Sequence, residues 1–168
     1  MGNEIYAEMT DDRKTAEGYI INYQQRRKDY DAKKADYLQS KKVRFEKVGG
    51  KGNMVVSVVE NEALKAAAYD MESPEYLWLR AVEIAFKTLG ERKRLFIKAR
   101  CEAEKKASFD KGRGRRAWVL YTQRIYSELI EERFLNATGW LCERSVRYWW
   151  KSILDRVVEI YLRLKINF

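Results

Sequence analysis

The chain has 168 residues, 46% of them hydrophobic and 35% charged, and its 34 Lys or Arg residues against 25 Asp or Glu give a net charge of +9. That length suits one domain with a proper core, or a smaller domain carrying a helical arm, and argues against two compact domains. No apolar run approaches the ~20 residues needed to cross a bilayer and the N-terminus lacks the apolar stretch of a secretory signal, so a soluble, cytoplasmic protein is expected.

Taken in order, residues 1 to 13 are polar and read as loose. From Thr15 to Phe45 the pattern predicts one long charged helix, in which Ala16, Tyr23, Tyr30 and Tyr37 stand seven apart while Tyr19, Ile20 and Leu38 widen the stripe. That seam fits a partner helix, as in a homo-oligomer, and fits the chain's own domain equally well. Gly49, Gly50 and Gly52 then break the helix. The run from Met54 to Val59 is β-branched but has no second run to pair with, so an extended linker entering a short helix over residues 60 to 69 is the more economical reading.

Ser73-Pro74-Glu75 announces a further helix through a cap residue, a first-position proline and an early acid. It should run to about Leu89 and bury Leu77, Trp78, Ala81, Ala85 and Leu89. Gly90 separates it from a basic helix over residues 91 to 109, with Leu95, Phe96, Ala99 and Ala103 on the apolar side. After a glycine-arginine loop, Trp118, Val119, Tyr121, Thr122, Ile125, Tyr126, Leu129, Ile130 and Phe134 give the clearest helical stripe. The last helix begins near Cys142 or Glu143 and reaches Leu164. The expected fold is therefore all-α, a helical bundle with a C-terminal helix-turn-helix-like unit and a long N-terminal helix. Its expected divisions are an arm over residues 1–48, a glycine-containing linker and short helix over 49–72, and a helical DNA-binding domain over 73–168.

Charge is concentrated rather than spread. Between Arg92 and Arg116 stand eleven Lys or Arg residues against Glu102, Glu104 and Asp110 only, which leaves the rest of the chain close to neutral. Such a segment suits phosphate neutralisation, with a solvated helix face as the plainer alternative. Lys111-Gly-Arg-Gly-Arg-Arg116 fits phosphates best: its two glycines let the backbone approach, and Arg113, Arg115 and Arg116 supply fork-shaped donors. No Gly-Lys-Ser/Thr follows, so it is not a nucleotide-binding loop.

Catalytic chemistry has little to work with. The chain contains no histidine, and Cys101 and Cys142 stand alone, so neither a zinc site nor a Cys-His pair or serine triad can be built. Two carboxylate groups, Glu102 with Glu104 and Asp110, and Glu128 with Glu131 and Glu132, are interleaved with cations at helical spacing and read as surface pairing rather than a magnesium site. No cofactor and no enzymatic activity are expected.

The stretch from Gly139 to Lys151, GWLCERSVRYWWK, looks like the turn and second helix of a helix-turn-helix DNA reader. Glu143, Arg144, Ser145, Arg147, Tyr148 and Lys151 fall at or near the leading end of that helix, while Val146, Trp149, Trp150, Ile153, Leu154, Val157 and Val158 recur at helical spacing to anchor it. Arginine can bond two acceptors on a guanine edge, and serine or tyrosine can hold a phosphate. An ordinary amphipathic terminal helix would present the same residues as solvated cations and core tryptophans. The turn departs from the usual pattern, with Gly139 and Trp140 ahead of the cap and Cys142 where serine is customary.

This order of parts, a tyrosine-rich charged helix, a Gly-Gly loop, the segment Ser57-Val-Val-Glu60-Asn-Glu-Ala63-Leu64, a helix pair and a terminal reader, resembles the phage-encoded transcriptional regulators of the RinA and ArpU group. Within the last unit, Glu143-Arg-Ser-Val-Arg147 looks like the Ser-x-x-Thr-Val-x-Arg core of a recognition helix similar to the fourth region of sigma factors. The resemblance implies an all-helical activator of phage late genes, working on promoter DNA in a bacterial host. On that reading Arg144, Ser145, Arg147, Tyr148 and Lys151 reach bases or adjacent phosphates, and Arg113, Arg115 and Arg116 clamp phosphates. Double-stranded DNA is the expected partner, with RNA polymerase as a second. Two other functions fit the same layout: a small terminase subunit that marks DNA for packaging, and a helical scaffold that binds protein, its basic segment meeting an acidic surface on RNA polymerase.

Overall fold

In the computed structural model, which describes residues 2–45, 58–109, 117–134 and 137–167, the chain is all-α: seven helices form and no strand occurs among those residues. The long N-terminal helix starts earlier than its stripe predicts and is divided, into α1 (Gly2–Ile21) and α2 (Tyr23–Phe45). The division has a local cause. At Asn22 both the backbone N–H and the side-chain amide donate to the carbonyl of Gly18, each at 3.2 Å, and side-chain competition of this kind bends a helix.

The tyrosine seam packs within the chain. Ala16, Tyr19, Ile20 and Tyr30 belong to the same core as the C-terminal helices. Tyr30 donates its hydroxyl to Asp70, which also takes the ammonium of Lys34 at 2.7 Å, and Tyr37 meets Tyr69 at a tilt, with ring centres 4.9 Å apart. Tyr23 donates to Glu83 at 2.8 Å. Burial, and then the Glu83 carboxylate, push the Tyr23 hydroxyl up to about 12. The seam that also suited a second copy is thus filled by α3 (Val58–Glu72) and α4 (Pro74–Thr88) of the same chain.

Between α3 and α4 only Ser73 intervenes, in extended geometry with φ −97° and ψ 111°, and Pro74 follows at the first helical position. Proline's missing N–H costs nothing there, because that group would have no helical partner. α4 buries Leu77, Trp78, Leu79, Ala81, Val82 and Ala85, with Leu89 only half-buried at its end. Gly90 opens α5 (Glu91–Phe109), its carbonyl accepting from the N–H groups of Lys93 and Arg94. α5 lies along α6 (Ala117–Arg133), and α7 (Glu143–Asn167) lies across α1, α4 and α6. The short helix expected over residues 60 to 69 extends in both directions. The residues from 46 to 57 and from 110 to 116, including the glycine joint, fall outside the described set.

Rings set the angles at which these helices meet. Trp78 of α4 is sandwiched between Tyr19 of α1 and Tyr161 of α7, at 5.8 and 3.7 Å between ring centres. Phe96, Tyr126 and Trp149 meet edge to face, which joins α5, α6 and α7. Pairs of this kind add about 0.5–1.5 kcal/mol each beyond the area they bury. No described helix is long and apolar enough to cross a membrane.

Candidate nucleic-acid interface

α7 is two-sided. Val146, Trp150, Ile153, Leu154, Val157, Val158 and Ile160 are buried, and Trp149 is half-buried against Phe96 and Tyr126. Opposite them, Arg144, Tyr148 and Lys151 are all exposed, Tyr148 by 69%. Their spacing of four and then three residues stacks them in one row along the first two turns. Neither Arg144 nor Lys151 is ion-paired among the described residues. The row starts at the N-terminal end of the helix, where the helix dipole also favours an anion.

Arg147 is placed differently. Its guanidinium bonds Glu143 through two nitrogens, at 3.1 and 2.8 Å, and lies 5.8 Å from the centre of the Trp118 ring. Ser145 is half-buried and bonded to Cys142, Oγ to Sγ, at 3.1 Å. Of the residues expected to face DNA at this helix, Arg144, Arg147, Tyr148 and Lys151 are exposed, Arg147 with its guanidinium bonded to Glu143, while Ser145 is half-buried beside Cys142. Arg113, Arg115 and Arg116 lie outside the described residues.

The connection over residues 134–142 is longer than the ~3–4-residue turn of a tight helix-turn-helix, and the structure accounts for its unusual residues. Gly139 is buried against α6: a Cβ there would stand 2.7 Å from Ile130 Cβ and 2.9 Å from the Ser127 backbone, too close to coexist with either. The side-chain amide of Gln123, itself buried, reaches from α6 to donate to the Leu141 carbonyl at 2.7 Å. Cys142 occupies the cap position of α7, and its carbonyl accepts the first helical bond from Val146 at 3.0 Å. The Ser145 hydroxyl, then the backbone N–H groups of Ser145 and Arg144, hold the exposed Cys142 thiol below its ordinary range. Gly139 and Cys142, departures by pattern, are therefore structural fits. Trp140 is the exception, with its indole 69% exposed.

Arg100 corrects the charge map. Counted with the basic segment, it is in fact 97% withdrawn from solvent, its side chain showing 3% of its surface. It bonds Glu17 of α1 at 3.0 Å and Glu104 of its own helix. Its Cζ lies 4.4 Å from the Trp118 ring centre and 5.1 Å from that of Trp150. Glu17 also accepts from the Trp150 indole at 3.0 Å. Four helices meet at this one cation, which sequence periodicity did not flag. Of the carboxylates considered for metal binding, Glu104 bonds Arg100, Glu128 bonds Arg124 and Glu131 bonds Ser127, while Asp110 lies outside the described residues.

Comparison with protein-family models, with curated proteins and with solved structures finds no match to this chain.

Proposed function

We propose that the protein is a sequence-specific DNA-binding transcriptional regulator, of the kind that activates phage late genes, with the leading turns of α7 entering the major groove. The observation that carries this reading is the exposed row Arg144, Tyr148 and Lys151, whose two cations are unneutralised while the opposite face of the helix is fixed in the core. Arg144 is the base-edge donor, Tyr148 and Lys151 hold the base edge or adjacent phosphates, and Arg147 positions the helix through Glu143 and Trp118. Arg113, Arg115 and Arg116 are assigned to phosphates on their sequence alone.

The deciding experiment is footprinting on DNA surrounding the protein's own gene, with random competitor and across a salt series. A footprint that survives competitor supports the reading. Binding abolished by competitor, or a footprint unaltered by Arg144→Ala, overturns it. One observation favours a second reading, a scaffold that contacts RNA polymerase: the exposed Trp140, since aromatic residues open to solvent are frequent anchors of protein contacts. Binding to polymerase with no affinity for free DNA selects that alternative.

A further inference from the structure

A groove of about 610 Å³ runs between the α1–α2 junction and α5, with Phe86 of α4 also in its lining, and no described residue of α6 or α7 lines it. Its walls are cationic. Arg94, Lys98 and Lys105 repeat at helical spacing on α5, and Lys28 of α2 also lines the groove. All four are exposed, and Lys28, Arg94 and Lys98 enter no ion pair among the described residues. Glu102 is the single carboxylate among the described lining residues. Ile20, Ile21, Phe86 and Ile97 give the lining an apolar part, beside the amides of Asn22, Gln24 and Gln25.

Cations that share a groove with apolar side chains discriminate between kinds of anion. A nucleic-acid backbone needs only the charges, and a rigid duplex gains nothing from a hydrophobic trough. A helix with acids on its flanks and leucines on its face uses both features at once, through helix-in-groove recognition with complementary charge. The chain's own segments outside the described residues do not supply such a strand, since residues 46–57 carry one acid and two lysines and residues 110–116 are strongly basic. We infer that this groove docks an acidic amphipathic helix of a partner protein. The surface is separate from the exposed row of α7, so the inference stands whether or not α7 reads DNA.

The test uses the full chain and three labelled probes in fluorescence anisotropy: an about 14-residue peptide with leucines at helical spacing among glutamates, the same peptide with serines for leucines, and a random-sequence duplex. The leucine peptide should bind at least about tenfold more tightly than the serine peptide, and Arg94→Glu with Lys98→Glu should weaken it at least about tenfold. Lys28→Glu, on an exposed site of another helix, should weaken it about threefold and serves if the double variant fails to fold by circular dichroism. Equal binding of the two peptides, no effect of Lys28→Glu, or a loss of duplex binding as large as the loss of peptide binding overturns the inference. The last result would make α5 a nucleic-acid surface instead.

Discussion

Arg100 and Arg144 carry the same side chain to opposite ends. Arg100 is enclosed by two carboxylates and two tryptophan rings, whereas Arg144 stands in solvent and enters no ion pair among the described residues. A cation enclosed between carboxylates and rings contributes to the shape of the molecule, and one left in solvent contributes to what the molecule attracts. The +9 of the sequence adds the two together. What a partner meets depends on how many guanidinium and ammonium groups remain unmatched after folding, and over the first two turns of α7 these are, among the described residues, Arg144 and Lys151 rather than Arg147.

The largest effect should come from breaking the enclosed site one-sidedly. Glu17→Ala leaves the buried Arg100 short of a carboxylate and the Trp150 indole without its acceptor, and is expected to cost about 2–3 kcal/mol by urea unfolding, as leaving buried donors without a partner does. Arg100→Met, which removes the charge and keeps a flexible side chain between the rings, should cost less than Glu17→Ala. The reverse order would mean that the cation's stacking on Trp118 and Trp150 outweighs its ion pairs.

Gly139→Ala comes next. The added methyl meets Ile130 and the Ser127 backbone at under 3.0 Å, and overpacking of this kind costs roughly 1–3 kcal/mol. Because relief requires the connection to move off α6, the proposed DNA reading predicts that the variant also loses discrimination between duplexes, although residue 139 is buried. A variant that is destabilised but binds with unaltered specificity would show that the start of α7 is set by its own core contacts alone.

On the exposed side, Arg144→Ala should leave stability within about 0.5 kcal/mol, as is usual for open surface sites, while lowering discrimination between specific and random duplex by roughly 1–3 kcal/mol. Arg147→Ala should lower discrimination less, its donors being held by Glu143. Equal losses in competition binding would place both arginines on bases and dissolve the distinction drawn between them.

The smallest effect contrasts the two thiols. Burial pushes the Cys101 thiol up, whereas the cap position holds that of Cys142 down. As pH rises, the Cys142 thiolate should form first, so its alkylation by iodoacetamide should begin at lower pH and run faster than that of Cys101 in the folded protein. Matching rates in denaturant and differing rates in buffer are the expected pair of measurements.

Much of the helical framework was readable from residue types. Pro74 and Gly90 punctuate α4 and α5 where proline and glycine are expected to, and the apolar residues of α7 recur at the spacing that a one-sided helix requires. The helix break at Asn22 was not readable, since it depends on a side-chain amide choosing the Gly18 carbonyl over water. Arg100 was hidden for a stronger reason: nothing in a basic run distinguishes the one cation that will face two rings contributed by residues 118 and 150. Arg147 likewise looked like an open donor because periodicity places Glu143 one turn away without saying whether the two will bond. Patterns along the chain report which face a residue occupies, and partners across the fold decide what remains for others to bind.

Glu17 bonds Trp150, and Arg13 of the same helix pairs with Asp155. The first helix and the last are thus stitched together across most of the polypeptide. Neighbouring helices such as α5 and α6 can find each other after closing a short loop, but this stitch requires nearly the whole chain to be present and looped back, which raises contact order and slows folding relative to a bundle of sequential hairpins. On the ribosome, α1 emerges long before the helix that completes its polar contacts, and it must wait for α7 with its carboxylate still in water.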